Sequence, residues 1–331
     1  MQFFSNIQIK YLEPPLSYPC NILLTGSCFT EHIGNHLGDV KFNILQNPNG
    51  ILFNPVSVCS SLVSYIENKV YTEEDIFYYN ECWHSWQHHS RFSHPDKNTC
   101  LQLINHSQKQ AHAFLKKADK VIITLGSSFV YKLKEENGLN KNTVDGFVAN
   151  CHKLPAQQFT KYLLSIEQIL SMLDNTIHRL FHFNPKLEII FTISPVRHLR
   201  DGVVENNRSK ARLIEAVHHL VDKFSRLYYF PAYELVIDVL RDYRFYDIDL
   251  AHPNYAATQF VLEQFTEYCI SKESQQLMEE IKKIVTAYNH KPFNPQSQQH
   301  KHFMQQQYQK AKQLQEQYPF LHFEKELDYF G

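Results

Sequence analysis

Hydrophobic residues along the chain occur in short runs that alternate with stretches of helical periodicity. Five of these runs have the length and the β-branched or aromatic content of buried strands. They comprise residues 22–25, 40–45, 121–125, 187–193 and 227–230. Strands that alternate with helices predict a parallel sheet covered by helices on both faces. We therefore expect a three-layer α/β/α fold, with a doubly wound parallel sheet of about five strands that binds ligands beyond the carboxyl ends of the strands.

Helical periodicity predicts the elements between and after these runs. The helical patterns cover residues 29–37, 55–67, 156–183, 209–224, 254–269 and 273–288. The stretch 47–118, between the second and third predicted strands, is a longer connection and contains the aromatic and histidine-rich segment 83–92. Loops at the functional edge of a sheet usually supply specificity, so we expect this insertion to contribute to a ligand site.

The composition changes after Lys291-Pro292, where glutamine becomes frequent and apolar residues become sparse until residues 318–321. We interpret residues 1–290 as the main domain and residues 291–331 as a glutamine-rich helical extension that docks through its aromatic end. The alternative is a disordered tail, because polar segments of biased composition often form no packed core.

Composition and charge restrict the classes of function. The 331 residues are 43% hydrophobic, which is enough for a large core, and 33 lysines and arginines against 34 acidic residues give a net charge of -1. A balanced charge lacks the basic surface of a protein that binds nucleic acid or anionic lipid. We expect a small-molecule partner, with no nucleic acid, no membrane, no metal and no cofactor. The oligomeric state stays open.

Cysteine usage and the N-terminal segment indicate a cellular compartment. The seven cysteines are an odd number, are widely scattered and form no CxxC pair, which favours a reducing compartment. The first 18 residues contain Lys10, Glu13 and Pro14-Pro15 without an apolar run of signal-peptide length, and no later window approaches the length of a membrane span. We therefore expect a cytoplasmic location.

Gly26-Ser27 lies where the first apolar run turns into a helical pattern. A serine in that position projects its hydroxyl at the carboxyl edge of the sheet, near a helix N-terminus whose free N–H groups favour developing negative charge. The simpler interpretation is that Ser27 only caps the helix. The adjacent Cys28 is a second candidate nucleophile, since a thiolate near a helix N-terminus is activated. A residue that follows a nucleophile normally points away, so we expect Cys28 to be a buried apolar side chain.

The segment 249–254 follows the last predicted strand and places Asp249 three residues before His252. A nucleophilic serine needs a base that takes its proton, and the base needs a carboxylate that fixes its tautomer. The alternative is a helix-entry turn with a surface histidine. Taken together, the two segments favour a triad in which Ser27 is the nucleophile, His252 the general base and Asp249 the orienting acid.

Three histidines of the insertion are candidates for substrate binding. His84, His88 and His89 include a pair spaced i, i+4, which would suit a metal site on a helix. The segment has no placed carboxylate, so we expect these side chains to line the substrate pocket or to pack over the sheet edge.

Arg197 and His198 follow the fourth predicted strand at its carboxyl end. A guanidinium there can hold a carboxylate or a phosphate of a substrate. The alternative is that this run only pairs with Asp201 and Glu205.

The segment Gly-Ser-Cys-Phe-Thr at 26–30 resembles the signature of the GSCFA domain, with Thr30 in place of the final alanine. Further segments that resemble this family are NPNGILFNP at 47–55, the segment 83–92, TLGSSFVY at 124–131, NCHK at 150–153 and SPVRHLRDG at 194–202. The GSCFA family is a branch of the SGNH/GDSL hydrolase superfamily. The resemblance implies a flavodoxin-like α/β/α fold and a Ser/Asp/His triad on the residues already named.

The superfamily resemblance also implies an oxyanion hole with three donors. These are the backbone N–H of the nucleophile Ser27, a glycine N–H after the second strand, which matches Gly50, and an asparagine side chain after the third strand. The asparagine does not match, because Gly-Ser-Ser at 126–128 stands where G-x-N would be expected. We expect Asn150 or the Ser127 hydroxyl to replace it, since the loss of one donor is costly. Alternatively, Asn150 only caps a turn.

These observations predict a serine esterase or acyl hydrolase that acts through the triad. The superfamily suggests a small or carbohydrate-linked ester as the substrate. Two alternatives stay open: a catalytically silent binding module, because the G-x-N motif is missing, and an acyltransferase that passes the acyl group to an alcohol instead of water.

Overall fold

The expected parallel sheet is present in a computed structural model, which describes residues 7–134, 143 and 145–331. The strands, in chain order, are β1 (Asn21–Gly26), β2 (Asn43–Gln46), β3 (Phe77–Tyr79), β4 (Cys82–His84), β5 (Lys120–Leu125), β6 (Phe129–Leu133), β7 (Phe147–Val148), β8 (Phe159–Leu163), β9 (Glu188–Ile193) and β10 (Leu227–Phe230). Five of them form one sheet in the order β10-β9-β5-β1-β2, with all neighbours parallel. The predicted α/β fold with a five-strand parallel sheet is confirmed.

Helices cover both faces of this sheet. They are α1 (Phe29–Asp39), α2 (Pro55–Glu67), α3 (Lys97–Lys117), α4 (Ile166–Phe183), α5 (Gly202–Lys223), α6 (Ala232–Glu234), α7 (Tyr255–Cys269), α8 (Lys272–Asn289), α9 (Gln298–Gln317) and α10 (Glu324–Phe330). Successive residues of a strand point to opposite faces. Leu24 of β1 therefore packs in a core with α1, α7 and α8, whereas Leu23 packs in a second core with α2, α4 and α5.

The predicted helix over 156–183 is wrong in its first part. Residues Ala156–Gln158 form a short 3₁₀ turn, and β8 then pairs with β6 in an antiparallel sheet. The helix α4 begins only at Ile166, because Ser165 and Gln168 form a capping box that fixes its N-terminus. The predicted start of α5 is too late, since this helix begins at Gly202 and not at 209.

The insertion between β2 and β5 contains α2, the antiparallel hairpin β3–β4 and α3. The hairpin was not predicted. Its Phe77 stacks on Trp86 with ring centroids 3.8 Å apart, and a separate cluster within the insertion contains Tyr71, Ile76, Phe92, Cys100 and Ile104. The insertion is therefore a folded layer with its own small core and not a loose loop.

The glutamine-rich segment forms α9 and α10 and docks on the core that contains α1 and α8. Its buried contacts are Ala311, Leu321, Phe323 and Phe330. The ion pair of Lys41 with Glu326, at 2.5 Å, ties α10 to the residues after α1, and the Glu326 side chain is only 5% exposed. The segment thus forms a docked helix and not the alternative disordered tail.

Two further observations concern the cysteines and the helices. All seven cysteines are free thiols. Across the residues that the structure describes, no helix combines the length and the apolar content needed to cross a bilayer.

Candidate active site

Ser27 lies at the carboxyl end of β1, directly after Gly26. Gly26 adopts a φ of +140°, and a Cβ atom there would lie 2.1 Å from the carbonyl oxygen of Thr124 on β5, so only glycine permits this approach. The Gly26 N–H donates to Oδ1 of Asn47 at 3.0 Å, which ties the end of β1 to the loop after β2. The strand order reverses between β1 and β5, and ligands bind at such switch points in doubly wound sheets.

The hydroxyl of Ser27 is buried and has no hydrogen-bond partner among the described residues. Because it accepts no N–H from α1, the interpretation of Ser27 as a helix cap is wrong. A buried polar group without a partner costs on the order of 1–3 kcal/mol. Such unpaired groups in a folded protein call for an explanation, and a catalytic role is one of those that apply.

The neighbouring Cys28 is partly buried, and burial raises the pKa of its thiol. The backbone N–H of Phe29 and the charge of Lys210 act in the opposite direction without overcoming burial. A raised pKa lowers the fraction of thiolate, which is the reactive form. This environment favours Ser27 over Cys28 as a nucleophile.

Asp249 and His252 form a hydrogen-bonded pair on the loop before α7. Nδ1 of His252 lies 2.6 Å from Oδ2 of Asp249, while Oδ1 accepts the backbone N–H groups of Ala251 and His252 at 2.9 and 3.0 Å. The backbone N–H of His252, its ring and the Ala251 N–H lower the pKa of Asp249 to about 2. The ionised carboxylate favours a proton on Nδ1 and leaves Nε2 as a proton acceptor.

The loop that carries His252 lies at the carboxyl edge of the sheet. Its Ala251 carbonyl accepts the backbone N–H of Arg197, which follows β9, at 3.1 Å. The His252 side chain is 51% exposed, and it makes no hydrogen bond with the buried Ser27 hydroxyl. The acid–base pair is therefore formed at the expected edge, but the Ser27–His252 hydrogen bond is not made in this conformation.

The two predicted backbone donors of the oxyanion hole form hydrogen bonds with backbone carbonyl groups. The Ser27 N–H donates to the carbonyl of Thr124 at 3.0 Å and extends the pairing of β1 with β5. The Gly50 N–H closes a tight turn by donating to the carbonyl of Asn47 at 2.7 Å. Neither N–H is free to receive an oxyanion here.

The two predicted replacements for the missing asparagine also have other partners. The Ser127 hydroxyl accepts the N–H of Phe129 at 3.0 Å and lies 3.3 Å from the hydroxyl of Ser209 on α5. The amide oxygen of Asn150 accepts the N–H of His152 at 2.8 Å, so it caps a local turn, as the alternative interpretation expected. These two residues are thus engaged elsewhere, whereas the buried amide nitrogen of Asn47, whose Oδ1 accepts the Gly26 N–H, has no partner among the described residues.

The predicted substrate-binding role of His84 and His88 is not what their positions show. Both ring nitrogens of His84 are hydrogen-bonded, to Ser93 at 2.6 Å and to the carbonyl of Tyr79 at 3.0 Å. His88 is 1% exposed, and burial lowers its pKa to about 3. Both belong to the small core of the insertion, because their apolar ring faces pack there among other aromatic side chains.

His89 instead packs against the loop after β2, where a Cβ atom on Gly50 would lie 2.2 Å from the Cβ of His89. It therefore shapes the Gly50 turn. Within the described parts of the chain, no group of three or more His, Cys, Asp and Glu side chains is placed to hold a metal ion.

Arg197 and His198 have different surroundings. The Arg197 guanidinium stacks on Tyr246, 4.1 Å from the ring centre, and the alternative pairing with Asp201 and Glu205 is not seen, since Asp201 binds Lys161 and Glu205 binds Arg208. Nε2 of His198 lies 2.9 Å from the carbonyl oxygen of Gly126. Arg197 thus borders the His252 loop, and His198 supports the strand end beside Ser27.

Residues of α5 that sequence analysis missed organise the same strand ends. Asn206 accepts the backbone N–H of His198 at 2.9 Å, and the Ser209 hydroxyl accepts the N–H of Ser128 at 2.8 Å. Lys210 donates to the carbonyl oxygens that follow β5 and β9. The sequence feature that could have revealed Lys210 is its place on the apolar face of a helix, three residues before the buried Leu213.

A cleft with a volume of about 750 Å³ opens beside His252, between α1, α7 and α8. Its lining is rich in amide, hydroxyl and imidazole groups, such as those of Asn35, His36, Gln259 and Thr286. Ser27 is not part of this lining. The cleft therefore adjoins the candidate base and not the candidate nucleophile.

The comparison with protein families matches most of the chain. The model of the GSCFA family matches residues 21–265, and the model described as the C-terminal domain of GSCFA domain proteins matches residues 281–331. The chain belongs to the GSCFA family. The first match includes Ser27, Asp249 and His252.

Comparisons of this GSCFA protein with curated proteins find no match. Two solved structures are similar at low identity. One, from Streptococcus pneumonia and described as that of a platelet activating factor, has 16% identity and a TM-score of 0.39, with 76% of this chain and 84% of that chain covered. The other, a Clostridium thermocellum family 3 carbohydrate esterase, has 10% identity and a TM-score of 0.35, with 80% of this chain and 98% of that chain covered.

Proposed function

We propose that this protein is a serine acyl hydrolase that cleaves a small or carbohydrate-linked ester. Ser27 is the nucleophile, His252 the general base and Asp249 the carboxylate that orients the base. The observation that carries the proposal is the hydrogen-bonded pair of Asp249 and His252 at 2.6 Å, at the sheet edge where an unpartnered serine hydroxyl ends β1. A charged acid, an oriented imidazole and a free hydroxyl are the three parts that nucleophilic acyl transfer requires.

The reaction has two steps. Ser27 Oγ attacks the acyl carbonyl carbon while His252 Nε2 takes the hydroxyl proton, and the C–O bond to the alcohol then breaks as His252 returns the proton to that oxygen. Water next attacks the acyl-enzyme, gives its proton to His252, and releases the acid with Ser27 regenerated. An alcohol in place of water would make the same site an acyltransferase.

The reaction needs a local rearrangement. Ser27 is buried and His252 is half exposed, so the His252 loop must close toward the nucleophile while the side chains over Ser27 open. The contact of Ala251 with Arg197 ties this loop to the end of β9, and the backbone bonds of Asp247 with His252 and of Asn254 with Phe245 would have to shift with it. Catalytic hydrogen bonds are often long in free enzymes and shorten when substrate binds.

The polar cleft beside His252 supports the carbohydrate-linked substrate. Amide and hydroxyl side chains such as Asn35, Gln259 and Thr286 line it together with the charged Asp39, Asp247 and Lys282, and polar groups of these kinds bind hydroxylated ligands through hydrogen bonds. The alcohol part of the ester would lie there, next to the group that protonates it. The cytoplasmic location inferred from the cysteines stays a prediction.

A catalytically silent binding module is the second candidate. It is favoured by the engagement of the Ser27 and Gly50 N–H groups with Thr124 and Asn47, which leaves no preformed oxyanion hole from those donors. In that case the crevice and the cleft would bind an ester without cleaving it.

Hydrolysis of p-nitrophenyl acetate separates the two candidates. Ser27→Ala and His252→Ala should each remove nearly all activity above the buffer rate, and Asp249→Ala should leave more, because the acid is the least costly member of a triad to lose. Cys28→Ala is the matched control and should stay within about twofold of the wild type, since the raised pKa makes its thiol unreactive. Loss of activity in Cys28→Ala but not in Ser27→Ala would identify a thiol hydrolase instead, and no activity in the wild type would favour the binding module.

A further inference from the structure

Lys210 on α5 is a buried cation that bridges two strand ends. It is 1% exposed, and its Nζ donates to the carbonyl oxygens of Gly126 at 2.6 Å and of Ser194 at 2.5 Å. Gly126 follows β5 and Ser194 follows β9. No ion pair joins Lys210 to a carboxylate of the described residues, and its pKa is lowered by burial, against a smaller effect of the Cys28 thiol.

An unpaired ammonium in the interior is costly, because burial removes its hydration without supplying an opposite charge. Burial lowers the pKa of Lys210 to about 7. A purely structural bridge between two carbonyls would be served by a neutral donor such as an amide. Buried titratable groups of this kind cluster at functional sites.

Lys210 contacts a residue that packs against the proposed nucleophile. Gly126, whose carbonyl Lys210 holds, is so close to Ser27 that a Cβ atom on Gly126 would lie 3.2 Å from the Cβ of Ser27. The charge of Lys210 also acts on Cys28, the residue that follows Ser27, where it opposes part of the rise in pKa that burial causes. A positive charge at this range acts strongly on an anion, because little water screens the two.

We propose that Lys210 is the electrostatic and positioning residue of the oxyanion site: its ammonium stabilises the negative charge that forms on the substrate oxygen when Ser27 attacks. The inference rests on the proposed function of Ser27. Lys210 acts across Gly126 and holds the strand ends in place, and no bond forms or breaks at Lys210 itself.

The ionisable groups that face Lys210 from neighbouring elements do not change their charge at the pH at which Lys210 does. They are the Cys28 thiol at the start of α1, the His198 ring after β9 and the Tyr233 ring of α6, whose centre lies 5.9 Å from Nζ. Burial raises the pKa of Cys28 and of Tyr233 and lowers that of His198. All three are thus neutral near pH 7, where Lys210 changes its charge.

A boronic acid tests this inference, because it forms a stable anion at a reactive serine. Phenylboronic acid adds to Ser27 Oγ as an O–B bond forms, the hydroxyl proton passes to His252, and boron becomes a tetrahedral anion. At pH 6.5, Lys210→Met should bind it about 10- to 100-fold more weakly than the wild type. Lys223→Met, an exposed lysine on the same helix, is the control and should bind as the wild type does.

A second measurement follows the wild-type protein itself and needs a variant only to assign the signal. The pKa of Lys210 is followed by NMR in protein labelled with ¹³C,¹⁵N-lysine, with its signal assigned by its absence in Lys210→Arg. Because coupling between two sites is reciprocal, the adduct should raise the pKa of Lys210 by about one to two units.

The outcomes separate this inference from the proposed function. If the adduct forms on Ser27 but the pKa of Lys210 stays unchanged and Lys210→Met binds equally well, the inference is overturned and the hydrolase stands. If the wild type forms no adduct on Ser27, the proposed function and the inference are overturned together.

Discussion

Gly26→Ala should destabilise the protein strongly, because a Cβ atom has no room at Gly26 where β1 lies against β5. A Cβ atom at Gly26 would lie 2.1 Å from the carbonyl oxygen of Thr124 and 2.9 Å from its nitrogen. Both are backbone atoms, so no side chain can turn aside. The φ of +140° adds a cost of about 1–3 kcal/mol for a residue with a side chain.

Relief of this clash requires the two strands to separate at their carboxyl ends. The Ser27 N–H would then lose its bond to Thr124, now 3.0 Å long, at a further cost of about 1 kcal/mol. We expect a total of about 3–5 kcal/mol, which corresponds to a fall of about 1 M or more in the midpoint of urea unfolding.

The assay is urea unfolding followed by the fluorescence of Trp83 and Trp86, with Gly38→Ala as the control. Gly38 lies in α1, and its added Cβ would meet only a flexible methyl group of Ile44 at 3.2 Å, so the change should stay within about 1 kcal/mol. A Gly26→Ala midpoint no lower than that of Gly38→Ala would refute the proposed steric contact at the turn before Ser27.

Two further predictions concern buried ionisable groups. Burial lowers the pKa of His88 to about 3 from an ordinary 6.5, so the unfolded chain binds more protons between these values and stability should fall, by up to about 1.4 kcal/mol per pH unit for this residue, as the pH drops below 6.5. Urea midpoints at pH 7 and pH 5 should differ less in His88→Leu than in the wild type or in the exposed variant His302→Leu, and equal differences would contradict the assignment. Lys41→Met should cost about 3 kcal/mol, because it leaves the buried Glu326 carboxylate without a partner. The exposed pair Lys283–Glu280 gives the control, since Lys283→Met should cost no more than about 1 kcal/mol. A similar loss of stability in both variants would show that the Lys41–Glu326 ion pair does not stabilise the docking of α10.

The parallel sheet could be predicted because its central strands are apolar on both faces. β5 is buried at every position, so its sequence shows as an unbroken run. The start of α2 was equally clear, since Asn54 accepts the N–H of Ser57 and Pro55 occupies the first turn. In these elements the local sequence and the tertiary structure favour the same conformation.

The antiparallel elements could not be predicted in the same way. β8 alternates poorly in polarity, and it exists because Phe159 and Leu163 pair with Leu133 and Phe129 of β6, far away in the sequence. Local periodicity instead favoured a helix there. Strand propensity depends on such cross-strand contacts more than on the residues themselves.

In the candidate site, too, the contacts between residues close in sequence could be predicted and the long-range contacts could not. Asp249 and His252 are three residues apart, so their hydrogen bond follows from local geometry and was predictable. The contact of Lys210 with Gly126 and Ser194 joins α5 to two strands, and no local pattern contains it. The roles assigned to Ser27, Asp249 and His252 stay predictions until they are tested by reaction.

The most direct test is labelling of the wild-type protein with a fluorophosphonate probe, followed by peptide mapping by mass spectrometry. This reagent reacts with a serine only when a base activates it and the site stabilises the charge that forms. We expect one modified peptide, which contains Ser27, with the label lost in Ser27→Ala and His252→Ala and retained in Cys28→Ala. The absence of any label, or a label that persists in Ser27→Ala, would contradict the assignment of Ser27 as a catalytic nucleophile.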